Sequence, residues 1–172
     1  MSTAAPQTSP PAEGTDEEES LSTLLTFELG GECFAMNVMR VQEILDIVSM
    51  TPVPHADKFA PGVINVRGNV VPVIDLRYRF GMPPRDQGKS TRTVVFEVLV
   101  EGETTRVAMA VDAVYNVEPV QDLKIEKLPE AGSKWNGKLI TGIARIRERL
   151  TIILNLENVF DTSIESTKPL SA

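Results

Sequence analysis

The sequence predicts an all-β fold with short helices, written twice along the chain. Three observations predict it. Short runs rich in Val, Ile, Thr and Phe alternate apolar with polar positions and are broken by Gly, Asn or Pro, the pattern of half-buried strands between turns. The stretch GVINVRGNVVPVIDLRYRF at 62–80 reads as strand, tight turn, strand, cap and short helix. That stretch then recurs: 142–156 lies over 62–76 without a gap, with Asn155 in the place of Asp75 and Leu156 and Phe160 in the places of Leu76 and Phe80. Because cap and helix match as well as strands, duplication explains the likeness better than two chance amphipathic hairpins do.

The elements follow in order. Residues 1–20 are Pro, Ser, Thr and acid, with almost nothing to bury, and are predicted to be a disordered leader outside the fold. Residues 24–29 (LLTFEL) form one strand and 32–37 (ECFAMN) the next, with Gly30 and Gly31 as the turn. A single helical turn at Val38 passes into a strand in which Val41, Glu43 and Leu45 alternate with Gln42 and Ile44. TPVP at 51–54 cannot lie inside a helix, and its prolines suit a connection or a sheet edge. Residues 55–60 read as a short helical linker.

In the strand pair that follows, Gly68 and Asn69 are predicted as a two-residue turn of type II′, for which Gly supplies the positive φ. Asp75 is a candidate N-cap, since its carboxylate can accept from free amides of the next turn. Leu76 and Phe80 then share one helical face at i, i+4, which places Arg77 and Arg79 on the exposed side. GMPPRDQGKS at 81–90 is a loop dividing the repeats.

After that loop, 93–98 echoes 24–29 with Phe96 at Phe27, and 107–111 echoes 34–38; Val114 falls on Val41 and Val117 on Ile44. The extra residues of the second half lie within 100–105 and 118–139, where turns tolerate them. Residues 162–172 form a short polar tail. Each half thus has four or five strands and a short capped helix. Small closed or nearly closed barrels suit such units, because closure removes free edges. Whether each barrel takes its strands from one half only is left open.

Composition narrows the chemistry. The 172 residues carry a formal net charge of −7, from 17 Lys+Arg against 24 Asp+Glu. Glu13, Asp16, Glu17, Glu18 and Glu19 crowd the leader, which has no Lys or Arg. Neither leader nor remainder has the basic footprint of a nucleic-acid binder. No apolar run approaches the roughly 20 residues of a membrane span, and the N-terminus lacks the basic and apolar regions of a signal peptide. The single His55 reads as a loop histidine and the single Cys33 as a small apolar strand residue. No His or Cys pair has metal-ligand spacing, and no Gly-rich phosphate loop is present. Asp75 and Asp112 fit a cap and a turn acid better than paired catalytic carboxylates. What remains is surface: Arg67 at a hairpin tip, Arg145, Arg147 and Arg149 around the second hairpin, and Val41 with Glu43 on one strand face.

The 62–80 string, preceded by Val41, Gln42, Glu43 and Ile44, resembles the CheW family, the coupling proteins of bacterial chemotaxis. Val111, Asp112 and Val114 and the run LITGI at 139–143 fit as well, so the resemblance covers residues 21–161. It implies two SH3-like five-stranded β-barrels with a hydrophobic junction, as pseudo-repeats at about 24–80 and 92–160. It implies an adaptor with no activity of its own, without cofactor or metal, that joins the cytoplasmic tip of methyl-accepting chemoreceptors to the regulatory domain of the histidine kinase CheA. The implied place is the cytoplasm, at membrane-associated receptor arrays, with no nucleic acid and no membrane insertion.

By position, Val41, Glu43 and Arg67 match the receptor-binding side, and Val94 and Ala108 fall in the region resembling the kinase-binding barrel. Val66 stands where the family string usually has Leu, and Arg147, Glu148 and Arg149 stand where a Gly or Asn turn would be expected. A coupling protein of the same fold serving another output, such as pilus motility, fits the same residues. A small β-barrel ligand-binding protein or enzyme fits less well, given the missing catalytic groups and an aromatic content of 5%.

Overall fold

The computed structural model describes residues 23–83, 90–129, 135–161 and 163. The predicted leader 1–20, the predicted tail except Ser163, and 84–89 of the predicted loop lie outside the described residues. The strands are β1 Thr23–Leu29, β2 Glu32–Asn37, β3 Val41–Asp46, β4 Thr51–Pro52, β5 Gly62–Val66, β6 Asn69–Val73, β7 Arg92–Val100, β8 Glu103–Val111, β9 Ala113–Pro119, β10 Ile140–Ile146 and β11 Arg149–Leu154. The short helices are α1 Leu76–Arg79 and α2 Leu156–Val159, and single 3-10 turns occupy Val38–Arg40, Val120–Asp122 and Gly137–Leu139.

The strands form two SH3-like barrels that do not respect the two halves. One sheet runs β10-β11-β2-β1-β9 and the other β3-β7-β8-β6-β5-β4. The third strand of each half has crossed to the other's sheet: Val41 pairs with Phe96 and, at the equivalent place, Val114 with Phe27. The parallel contacts are exchanged symmetrically too, β2 with β11 at Phe34 and Ile152, and β6 with β8 at Val73 and Ala108. Even the register shift is duplicated, between Val41 and Glu43 on one pair and between Leu25 and Phe27 on the other. The prolines of 51–54 behave as predicted, Pro52 lying in the two-residue edge strand β4.

Apolar burial follows the exchange. Each barrel interior holds small aliphatic side chains: Ile64, Val66, Val71, Val73, Val95 and Ala108 in one, Leu24, Ala35, Ala144, Ile146 and Ile153 in the other. The largest core lies at the junction, and all six phenylalanines belong to it or pack against it. The rings of Phe27 and Phe34 stack at 5.9 Å, Phe34 meets Phe80 at 5.4 Å, and Phe160 contacts Phe59 at 5.5 Å and Phe96 at 6.2 Å. Burial of large rings contributes most per residue, so the junction is where the fold is held.

Three local expectations are corrected. The turn after β5 is Arg67-Gly68, with φ of 52° and 84°, one residue earlier than predicted. Positive φ at both central residues is the requirement of a type I′ turn, not II′. Arg147-Glu148 is the same turn with φ of 48° and 67°, made without glycine, so the second hairpin keeps its geometry despite its residues. Residues 55–60 are not helical: His55 has φ of 59°, and Asp57 Oδ1 accepts from Phe59 N at 2.8 Å, an Asx turn that competes with helix between Pro54 and Pro61.

The third correction concerns α1. Its cap is as predicted, Asp75 Oδ1 accepting from Arg77 N at 3.0 Å, and Asn155 Oδ1 caps α2 from Asn158 N at 3.1 Å. Arg77 and Arg79, however, are buried, and only Tyr78 emerges. The second half of the chain covers the helix on the side that would otherwise face water. Arg77 pairs with Asp112 at 2.6 Å, and the other oxygen of Asp112 accepts from Gly30 N at 2.7 Å. Arg79 donates to the carbonyls of Val159 at 2.8 Å, Asn158 at 3.0 Å and Asp161 at 2.7 Å. An arginine of α1 thus satisfies the free carbonyls that end α2.

Candidate docking surface

β3 is an edge strand, and its side chains alternate as the sequence predicts, with Gln42, Ile44 and Asp46 exposed and Val41, Glu43 and Leu45 half-buried. Val41 packs against the junction core from its rim. The I′ turn projects Arg67 from the neighbouring hairpin toward β3, where its Nη2 lies 2.9 Å from Glu43 Oε1. The glutamate side chain is 24% exposed and the arginine 78%, so one end of the pair is held and the other is free to meet a partner. The structure therefore brings Val41, Glu43 and Arg67 together on one surface: an apolar rim, an anchored carboxylate and an exposed cation. Exposed Ile44 on β3 and Val70 on the β5–β6 hairpin add apolar area on the same elements.

Val94 and Ala108 are placed differently. Both are wholly buried, Val94 in the junction core and Ala108 inside the β3–β8 barrel. Neither side chain has surface with which to touch a partner. Both also lie in the sheet that carries Val41, Glu43 and Arg67, directly paired in the case of Val94 and Ile44. All five residues therefore lie in one sheet or in the turn between two of its strands. The cause is the strand exchange, which brings β7 and β8 of the second half beside β3, β5 and β6 of the first.

The other barrel carries a counterpart that the sequence reading did not pair. Arg147, at the repeat position of Arg67, reaches from its hairpin tip to Glu118 of β9 at 2.5 Å. The guanidinium of Arg149 lies 4.7 Å over the Tyr115 ring, whose hydroxyl donates to Glu28 at 2.8 Å. In both barrels a hairpin-tip arginine thus ties the hairpin to the exchanged strand. The coincidence of Arg67 and Arg147 in the repeat was a usable signal; their glutamates stand at different repeat positions and gave none.

A cleft of about 510 Å³ opens beside α1, lined among others by Ile47, Val48, Met50, Asp75 and Arg77. Its acid and base are both engaged, Asp75 with the helix amide and Arg77 with Asp112. Among the described residues no group of three His, Cys, Asp or Glu is placed to share a metal ion, and no helix is long and apolar enough to cross a membrane.

Fold and surface define a double-barrel protein whose two sheets share a junction core, with Arg67 and Arg147 exposed at its hairpin tips. The profile of the CheW-like domain matches residues 23–163, and the chain belongs to the CheW family of chemotaxis proteins. It is 36% identical over 137 residues to a probable chemotaxis protein CheW of Rhizobium etli, covering 80% of this chain and 86% of the relative. It is 33% identical over 137 residues to the chemotaxis protein CheW of Rhizobium meliloti, with the same 80% and 86% coverage. It is 31% identical over 144 residues to the chemotaxis protein CheW of Helicobacter pylori, with 84% of each covered. Among solved structures, the scaffolding protein TtCheW from Thermoanaerobacter tengcongensis superposes with a TM-score of 0.68 at 31% identity, covering 84% of this chain and 96% of that one.

Proposed function

We propose that this chain is a non-catalytic adaptor that couples the cytoplasmic tips of chemoreceptors to the histidine kinase CheA, in the cytoplasm at receptor arrays. The observation that carries the reading is the Glu43–Arg67 pair at 2.9 Å, set beside Val41 on an edge strand. A receptor tip is a helical hairpin, and a helix docks through apolar contacts flanked by a few polar anchors. Val41 supplies the first, and Glu43 with Arg67 the second. The kinase contact belongs to other exposed residues, with Val94 and Ala108 shaping the strands beneath rather than meeting the partner. The test is titration of this protein against two partners separately, the CheA regulatory domain and a receptor-tip fragment. Binding to both supports the coupling role; binding to neither overturns it.

A further inference from the structure

We propose that the acidic leader of this chain docks on the β10–β11 hairpin tip, held there by Arg145, Arg147 and Arg149. The two repeats differ in charge at their hairpin tips. Asn65, Arg67, Gly68 and Asn69 on the first correspond to Arg145, Arg147, Glu148 and Arg149 on the second. One cation has become three, with a single added acid. All three arginines are exposed, Arg145 making a 3.4 Å contact with the Glu148 carbonyl, Arg147 meeting Glu118, and Arg149 lying over Tyr115.

The charge that complements them lies next in space. β1 begins at Thr23, which pairs with Pro119, and Leu24 pairs with Glu118, the partner of Arg147. The described chain therefore begins, at Thr23, beside the hairpin tip. An extended chain spans about 3.3–3.6 Å per residue. Glu19, four residues before Thr23, thus reaches about 13 Å, and Glu13, ten before, about 33 Å. Five acids with no base among them stand within that reach of three arginines. The contact is electrostatic, since the leader has almost no apolar surface to bury, and it is sensitive to salt at separations near the Debye length of about 10 Å.

The test places a nitroxide in the leader of the full chain as Thr15→Cys, in a Cys33→Ser background, and reads paramagnetic broadening of backbone amides. Docking predicts strong broadening at 145–150 in low salt, weak broadening at the Arg67 hairpin, and severalfold relief in 0.5 M NaCl. The triple variant R145Q/R147Q/R149Q should lose the broadening at 145–150 while Pro119's neighbours, close to the tether, keep theirs. The salt series on the unsubstituted tip decides the matter if the triple variant does not fold. Broadening that is unchanged by salt, or equal at both hairpins, overturns the proposal.

Discussion

At the scale of single residues, the candidate surface separates into held and free parts. Val41 contributes apolar rim, so Val41→Ser forfeits on the order of 1–2 kcal/mol on full desolvation, roughly tenfold in affinity. Glu43→Lys sets a cation against Arg67 and repels any basic anchor of the partner, at a cost that grows if the contact is shielded. Both variants should stay folded, retain the CheA regulatory domain and lose the receptor tip, measured by titration against each. Loss of the kinase with the receptor retained would reverse the assignment of faces.

Arg79 makes a different residue-scale prediction. Burial lowers its pKa, opposed in part by the charge of Asp161, yet three carbonyls hold it. Arg79→Met keeps the apolar stem but strips those carbonyls of their donor, which should cost about 2 kcal/mol in denaturant melts. Arg79 was read from the sequence as solvent-facing, because i, i+4 spacing identifies the core face of a helix but not what covers its other side. Asp75 and Asn155 were legible because a cap acts within its own turn.

At the scale of elements, local chemistry was read well and its exact placement less so. Strands β1, β2, β3, β5, β6, β7 and β8 stand where apolar runs between turn residues predict them; β3 and β5 alternate in burial, whereas β1 and β7 are buried on both faces over much of their length. Two glycines show what a pattern hides. A Cβ on Gly62 would lie 2.6 Å from the Thr51 carbonyl oxygen, and one on Gly142 2.8 Å from that of Glu126. In each half the connecting segment passes over the first strand of the hairpin, at β4 in one and at the Glu126–Ile143 bridge in the other. The sequence marks both as strand glycines without naming the segment that crosses them.

The hairpin turns carry the element-scale prediction. Glu148 holds φ of 67° where its counterpart Gly68 holds 84°. Left-handed backbone costs a side-chain-bearing residue roughly 1–2 kcal/mol, offset in part by the greater entropy glycine loses on folding. Glu148→Gly should therefore stabilise the protein by about 0.5–1 kcal/mol, and Gly68→Glu destabilise it by a similar amount. Thermal melts of the two single variants check the pair. Opposite signs are required; a loss from both would mean that Glu148 makes a compensating contact.

At the scale of the whole molecule, the duplication is legible in the sequence and the exchange is not. Repeat matching aligns Val114 with Val41, but says nothing of whether each strand pairs at home or across. Pairing is decided by the junction: placing β3 against β7 and β9 against β1 gathers Phe27, Phe34, Phe80 and Phe96 into one core. Neither half can make that core alone. Within 21–90, β1 and β2 belong to one sheet and β3 to β6 to the other, so β3 lacks β7, β6 lacks β8, β1 lacks β9 and β2 lacks β11. What survives in an isolated half is two-stranded hairpins, one of them extended only by the two-residue β4, and such hairpins are marginal in water. Residues 21–90 and 91–163, produced separately, should each lack a cooperative thermal transition. Mixed in equal amounts, they should recover the β-sheet spectrum and melt cooperatively as a 1:1 complex, with a midpoint that rises with concentration because folding and association are one step. A half that melts cooperatively as a monomer would mean that its third strand can fold back on its own sheet, and that the exchange is a preference of the linked chain rather than a requirement of the fold.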